Sequence, residues 1–414
     1  MSEEKVMFKE RLKTHHSAMA EASQYARGPR EVVSFLNTTK PSPQVKDKAT
    51  IYIHVPFCSK ICTFCNMRRT LQKPKDNYHE LLLEEMKAYS QLEYIKDLTF
   101  EAIYFGGGTP TTLEVEALRS ILRGLKIYFN LSEDVEITIE TTVTELSEEK
   151  LQMFKEEGVN RFSIGVQTFN DKGRIQMGRI GSGQIAYEKL KQVKEMGFKT
   201  VSMDLIYNYK DQTKEDLEED LEKIIELGLE GFSMYSLINM KETSIEQAQT
   251  LEKDGLFFNI IANKMKDAGY DFLELTKMVT TDAYKYVMNR HAGADTLPLG
   301  AGAGGSVGGL MLMNDIKLDA YEENIHNFEE RKGMLFSEAY REIAIFKGSI
   351  QKAQLPENIN LYQDHKVYEA CLKELIEKEY VYTDAQGCHR LTSKGVFWGN
   401  NISRLLDDLR KKSI

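Results

Sequence analysis

Between residues 50 and 236, short apolar runs with strand character alternate with helical segments six times, a pattern that folds as successive βα units around a parallel sheet. The runs are 51–55, 102–105, 135–140, 161–164, 201–206 and 231–236. Between them, Leu118, Ile121, Leu122 and Leu125, and again Leu217, Leu221, Ile224 and Ile225, keep the spacing of crossover helices. Six right-handed units of this kind curve into a partial (β/α) barrel, although an open doubly wound sheet satisfies the same pattern. The fold class expected is therefore α/β.

The alternation divides the chain. Residues 1–48 are polar, with an amphipathic helix expected over 6–26 and a loose PSPQ stretch before Lys46, and they read as an extension or flap. Residues 49–240 form the expected barrel and 241–360 an accessory region with a mostly helical stretch over 245–268. Within it, residues 293–309 hold seven of the chain's 28 glycines, which marks a loop or a close backbone approach rather than regular structure. Residues 361–414 read as helix, strand at 380–382, turn at Gln386 and Gly387, strand and helix, a small winged-helix-like unit.

A net charge of −9 argues against a nucleic-acid surface, which needs a basic stripe. No run approaches the roughly 18 apolar residues of a membrane span. The opening MSEEKVMFKERLK lacks the apolar core of a signal peptide, so a cytoplasmic location is expected. Five cysteines in 414 residues are too few for a disulfide framework, and three of them fall within eight residues.

Those three, Cys58, Cys62 and Cys65, stand in CxxxCxxC spacing directly after the first expected strand. A compact loop wraps three thiolates around three irons of a cubane and leaves the fourth iron open to an exogenous ligand, whereas a structural zinc site wants four protein ligands. A zinc knuckle completed by His54, or simply buried cysteines, is the plainer alternative.

In its setting, HVPFCSKICTFC resembles the radical SAM superfamily, in particular its oxygen-independent coproporphyrinogen-oxidase-like (HemN-like) branch, over about residues 49–400. The resemblance implies a partial (β/α)6 barrel and a [4Fe–4S] cluster on Cys58, Cys62 and Cys65. It also implies S-adenosylmethionine chelating the open iron, to be split by one electron into methionine and a 5′-deoxyadenosyl radical. A low-potential electron donor of the flavodoxin or ferredoxin type is implied as a partner.

Further segments match the family in order. Gly106-Gly107-Gly108-Thr109-Pro110 ends the second run and resembles the motif whose backbone receives the amino group of S-adenosylmethionine; alone, such a run is a common tight turn. Alternation in 135–140 points Glu136, Thr138 and Glu140 to one face, with Glu140 at the strand's C-terminal end, where the resemblance makes it a cofactor contact. Gln167 in GVQ, Arg179 in MGR and Asp204 in MDLIY match other contacting positions, as do Tyr52 and Phe64 beside the cysteines. Some members of the branch bind a second S-adenosylmethionine, and Phe64, Gly108, Thr109, Gln167, Arg179, Asp204 and Ile238 correspond to that site.

Within the branch, the coproporphyrinogen oxidases carry a further cysteine where this chain has Met67, and the haem chaperones carry a histidine-asparagine-aromatic motif where this chain has Asn289-Arg290-His291. The chain resembles more the haem-utilisation (HutW/ChuW-like) proteins, in Asp295-Thr296-Leu297 leading to Gly300–Gly305, in Leu391-Thr392 and in Phe397-Trp398. That resemblance implies haem or a related tetrapyrrole as substrate, opened without oxygen by methyl transfer with release of iron. Asn66-Met67-Arg68-Arg69 departs from the expected glycine and aromatics. Arg68, Arg69, Lys277 and Arg290 are candidates to pair propionates, and His291 a candidate haem ligand, against the plainer reading of solvated or hydrogen-bonded side chains. Gly300, Gly302 and Gly305 also satisfy GxGxxG, but Gly308-Gly309 would break the helix a dinucleotide fold requires. A loop closing over S-adenosylmethionine or a flat ligand is expected there instead.

Overall fold

The computed structural model describes residues 7–14, 22–240, 243–246, 248–356, 361–362 and 365–412. All six expected strands form, as β2 (Ala49–Val55), β3 (Phe100–Gly107), β4 (Leu131–Thr142), β5 (Arg161–Gln167), β6 (Thr200–Tyr207) and β7 (Gly231–Ser236), preceded by β1 (Ala26–Glu31). They pair in parallel, each with its successor, and β2, β3, β5 and β6 are buried along almost their whole length. The order β2-β3-β4-β5-β6-β7 never reverses. A doubly wound sheet would reverse at a switch point, so the curling barrel is the arrangement present.

Local chemistry sets the length of each unit. The helix Lys214–Glu226 starts in a capping box between Thr213 and Asp216, and the helix Glu148–Glu156 starts on the Ser147 hydroxyl. Gly158 and Gly197 end two helices at φ of 80° and 73° with open space around them, so backbone conformation alone calls for glycine there.

The sheet runs further than the alternation suggested. Beyond β7 come β8 (Asp271–Glu274) and β9 (Lys277–Val279); on the other side β10 (Thr296–Leu299) joins β2 in parallel, followed by antiparallel β11 (Gly304–Val307), β12 (Leu310–Met313) and β13 (Lys332–Phe336). The glycine-rich stretch 293–309, expected as loop, thus supplies two strands. Close approach was the correct part of that expectation: a Cβ on Gly305 would sit 2.3 Å from the Thr296 carbonyl oxygen.

Two N-terminal expectations are corrected. Residues 7–14 are irregular rather than helical, 6 and 15–21 lie outside the described residues, Ser23–Tyr25 form one 3-10 turn within the expected helix, and Ala26 opens β1, which pairs with β13. The PSPQ stretch carries a short helix, Pro43–Lys46, because proline suits a helix's first turn. Arg11 pairs with Asp254 at 2.9 Å and Lys13 donates to the Leu237 carbonyl at 3.0 Å, strapping the N-terminal segment across the barrel. The helical stretch expected over 245–268 is Leu251–Asp267. Near the C-terminus, helix His365–Glu377, a hairpin of Val381–Thr383 and His389–Leu391, and two helices follow the expected order. No helix among the described residues is long and apolar enough to cross a membrane.

Candidate functional site

Parallel strands bring all their C-terminal ends to one mouth, and there a cavity of about 410 Å³ opens. Cys58, Cys62 and Cys65 line it, with Phe64, Gly107, Gly108, Thr109, Glu140, Gln167, Arg179, Asp204 and Ile238. Of the expected site residues only Tyr52 is not on the wall. It lies one layer behind, stacked 6.1 Å from Tyr286, its hydroxyl 2.9 Å from His54 Nδ1.

The cysteine loop is held from three sides. The Cys58 N–H donates to the Thr70 carbonyl at 3.0 Å, the Thr63 hydroxyl to the Gln176 carbonyl at 2.7 Å, and the Ser59 hydroxyl to Glu145 at 2.7 Å. The glycine run is threaded beneath it: the Gly108 N–H donates to the Val55 carbonyl at 2.8 Å, and a Cβ on Gly108 would lie 2.5 Å from the Phe57 carbonyl oxygen. Only glycine lets β3 run that close.

The donor set fits an iron–sulfur cluster better than a single ion. Three thiols share one cavity wall, the number of protein ligands that a cubane with one open iron takes, whereas a structural zinc site wants four. His54 does not complete a zinc set, since its Nδ1 is engaged by Tyr52 and its Nε2 lies 2.9 Å from the Arg68 carbonyl oxygen. Burial pushes the Cys58 and Cys65 thiols up. Arg179 Nη1 reaches Cys62 Sγ at 3.2 Å and so contributes positive charge beside it.

Polar groups around the cavity fit a polar ligand too. Gln167 sits at φ 71°, a left-handed conformation uncommon for glutamine, and among the described residues its buried Oε1 has no hydrogen-bond partner, nor has Arg179 Nε. Burial, and secondarily the Asp204 carboxylate, pushes the Glu140 carboxyl up to about 8 against the pull of the Gly107 N–H. Asp204 is raised by burial and partly relieved by Lys277. Each of these side chains gains by meeting a ligand bearing amino, carboxylate and sulfonium groups.

The candidate haem contacts fare differently. Lys277 is buried in the barrel between Asp282 at 3.2 Å and the Ser202 hydroxyl at 2.6 Å, so it faces no propionate. His291 Nε2 is engaged by Glu274 at 2.8 Å, Arg290 stacks on Tyr286, and Trp398 packs beside Phe8 and Phe397 as a core anchor. Arg69 lines the cavity and donates to the Met67 carbonyl at 2.6 Å, while Arg68 is exposed. The Gly300–Gly305 loop does not close over the cavity, because Gly300 packs against His54 and Tyr78 behind the cysteines. Sequence reasoning missed Tyr235, Ser236, Leu237 and Met240 on the far wall; their place after the last parallel strand was the available signal.

Residues 52–224 match the family model of the Radical SAM superfamily. Anaerobilin synthase of Escherichia coli O157:H7 is 29% identical over 378 residues, 87% of this chain and 84% of that protein. Heme chaperone HemW of Lactococcus lactis subsp. lactis is also 29% identical over 378 residues, 86% of this chain and 97% of that protein. The solved structure of coproporphyrinogen III oxidase (HemN) from Escherichia coli superposes with a TM-score of 0.76 at 22% identity, covering 90% of this chain and 93% of that one, which shows a shared fold.

Proposed function

Since the chain carries a radical SAM domain and belongs with the HemN-like branch of that superfamily, we propose that it acts on haem, transferring a methyl group without oxygen, opening the ring and releasing iron. The observation that carries this reading is that all seven residues matching a second S-adenosylmethionine line the same cavity as the three thiols. Two such molecules divide the labour of radical source and methyl donor. The reading that the protein is a haem chaperone is favoured by the HemW relative at the same 29% identity. Porphyrinogen oxidation is disfavoured by Met67, which lines the cavity where that reading needs a cysteine.

The cluster and S-adenosylmethionine, when bound, supply a strong one-electron reductant and a carbon radical. The chain's own residues orient and enclose. Cys58, Cys62 and Cys65 hold the cluster; the backbone of Gly107 to Thr109 and the side chains of Glu140, Gln167, Arg179 and Asp204 receive the polar groups of the cofactor. Phe64, Ile206, Leu237 and Ile238 exclude water, so that a reactive carbon meets only the bound substrate. A flavodoxin or ferredoxin type donor supplies the electron.

The deciding experiment combines S-adenosylmethionine carrying a labelled methyl group, haem and a low-potential reductant under nitrogen. Label should enter the tetrapyrrole as iron is released. Cleaved cofactor with haem recovered intact and unlabelled across several reductants would leave the chaperone reading standing instead.

Glu140 supplies a second test. Its carboxyl, half-buried on the cavity wall, holds its proton more tightly in the folded protein than in the unfolded chain, so it destabilises the fold as pH climbs from 4.5 through about 8. A cationic sulfonium ligand favours its anion, so cofactor binding should release a proton and tighten as pH rises through about 8. Glu140→Gln should flatten that dependence and weaken binding about tenfold, the worth of a charge-assisted contact. Calorimetric titration at several pH values, with iron content unchanged, checks this; an unaltered pH profile removes Glu140 from the site.

A further inference from the structure

The concave face of the sheet does not end at the barrel. In the β2–β10 ladder Tyr52 lies opposite Pro298; Thr296, two residues earlier, lies opposite Ser306 on β11. Gly304 and Ser306 lie opposite Met313 and Met311 on β12, and Met311 opposite Met334 on β13. Residues opposite one another in a ladder share a face, and i and i+2 share it along a strand. Met311, Met313 and Met334 therefore stand on the face that carries Tyr52 inside the barrel, while Leu310 and Leu312 turn into the core.

This surface has an unusual character for an outer strand group. Met313 is 54% and Met334 39% exposed, and on this face β11 beside them presents only Gly304 and Ser306. Thioether side chains are polarisable and adapt to a flat apolar partner. At the patch's border toward the cavity, Arg68 follows Met67, a cavity-lining residue, and donates from Nη1 to Met313 Sδ at 3.0 Å. A thioether is a weak acceptor, and among the described residues Arg68 has no carboxylate partner, so its guanidinium fork is available to one.

We propose that this methionine face is the docking platform for a planar tetrapyrrole, with Met311, Met313 and Met334 under the ring and Arg68 pairing a carboxylate at its edge. The proposal rests on the haem reading above and gives it a place. Charge complementarity and continuity with the cavity select this occupant: a ring carrying carboxylates matches one fork beside an apolar plane, and its edge reaches the cavity mouth at Met67.

The test uses anaerobically reconstituted protein, with haem and haem dimethyl ester as probes, followed by difference absorbance. The exposed pair Met313→Glu/Met334→Glu and the single Arg68→Gln should each weaken haem binding at least tenfold. Arg68→Gln should bind the ester as wild type does, since no carboxylate remains to pair. S-adenosylmethionine affinity and iron content should be unchanged in both. Tight haem binding by wild type with equal binding by the variants overturns the platform and leaves the haem reading intact; no haem binding by wild type overturns both. Unchanged haem affinity with slowed cluster reduction by a flavodoxin overturns it in favour of a donor-docking surface.

Discussion

Protein in which Cys58, Cys62 and Cys65 are all changed to alanine should emerge from anaerobic reconstitution without its roughly four irons and without visible charge-transfer absorbance. The loss should be essentially complete, because no other described group stands ready to replace a thiolate: Cys371 is buried in the C-terminal unit, and His54 is engaged at both ring nitrogens. The loop should survive the change. Its anchors, from Cys58 N–H to Thr70 and from Thr63 to Gln176, use backbone and threonine atoms that alanine leaves in place. Circular dichroism should therefore match wild type while iron falls to background. Stoichiometric zinc in wild-type protein purified without oxygen would replace the cluster reading with the zinc knuckle.

β2 was readable because burial on both faces writes a nearly continuous apolar run, where only Tyr52 keeps appreciable exposure, and β4 because its apolar residues alternate over 135–140. The strands flanking the barrel were not. β1 reads Ala-Arg-Gly-Pro-Arg-Glu, with no apolar face, because it is an edge strand whose position is set by β13, some three hundred residues away in sequence. β10 and β11 were hidden by their shortness and by glycines in and between them that serve close packing: Gly300, just after β10, leaves no room for a Cβ beside the His54 carbonyl oxygen, at 2.3 Å. At the site, residues on strand ends and in the cysteine loop were legible by position. Tyr52 lies one layer behind the wall, and its stacking partner Tyr286 arrives from a helix that carries no motif, so that neighbour was not legible. Lys277 looked like a surface cation because its partner, Asp282, closes on it only after β9 folds back antiparallel on β7.

That partnership makes Asp282→Ala the substitution with the largest expected cost in stability. The carboxylate takes a two-pronged grip from Arg161, 2.9 Å from Nε and 2.8 Å from Nη2, and a third contact from Lys277 at 3.2 Å. Both cations are 1% exposed, and the Tyr284 ring lies over each, at 4.1 and 4.9 Å. Removing the carboxylate leaves two buried charges with hydroxyls, a ring face and only the electrostatic pull of Asp204 and Glu136 for company, which should cost about 3–5 kcal/mol. The two cations hold the Asp282 carboxyl well below its usual range against the opposing effect of burial. A depressed carboxyl contributes stability that is present above about pH 4 and lost as pH falls toward its folded value. Wild type should therefore lose stability steeply below pH 4, and Asp282→Asn, which keeps the shape without the charge, should start lower and lose less on that acid limb. Urea unfolding of the reconstituted protein at pH 7, 4 and 3 measures both effects. A cost under about 1 kcal/mol for Asp282→Ala at pH 7 would mean that water or a rearranged Asp204 takes over the pair of cations, and that the barrel floor is less dry than its packing implies.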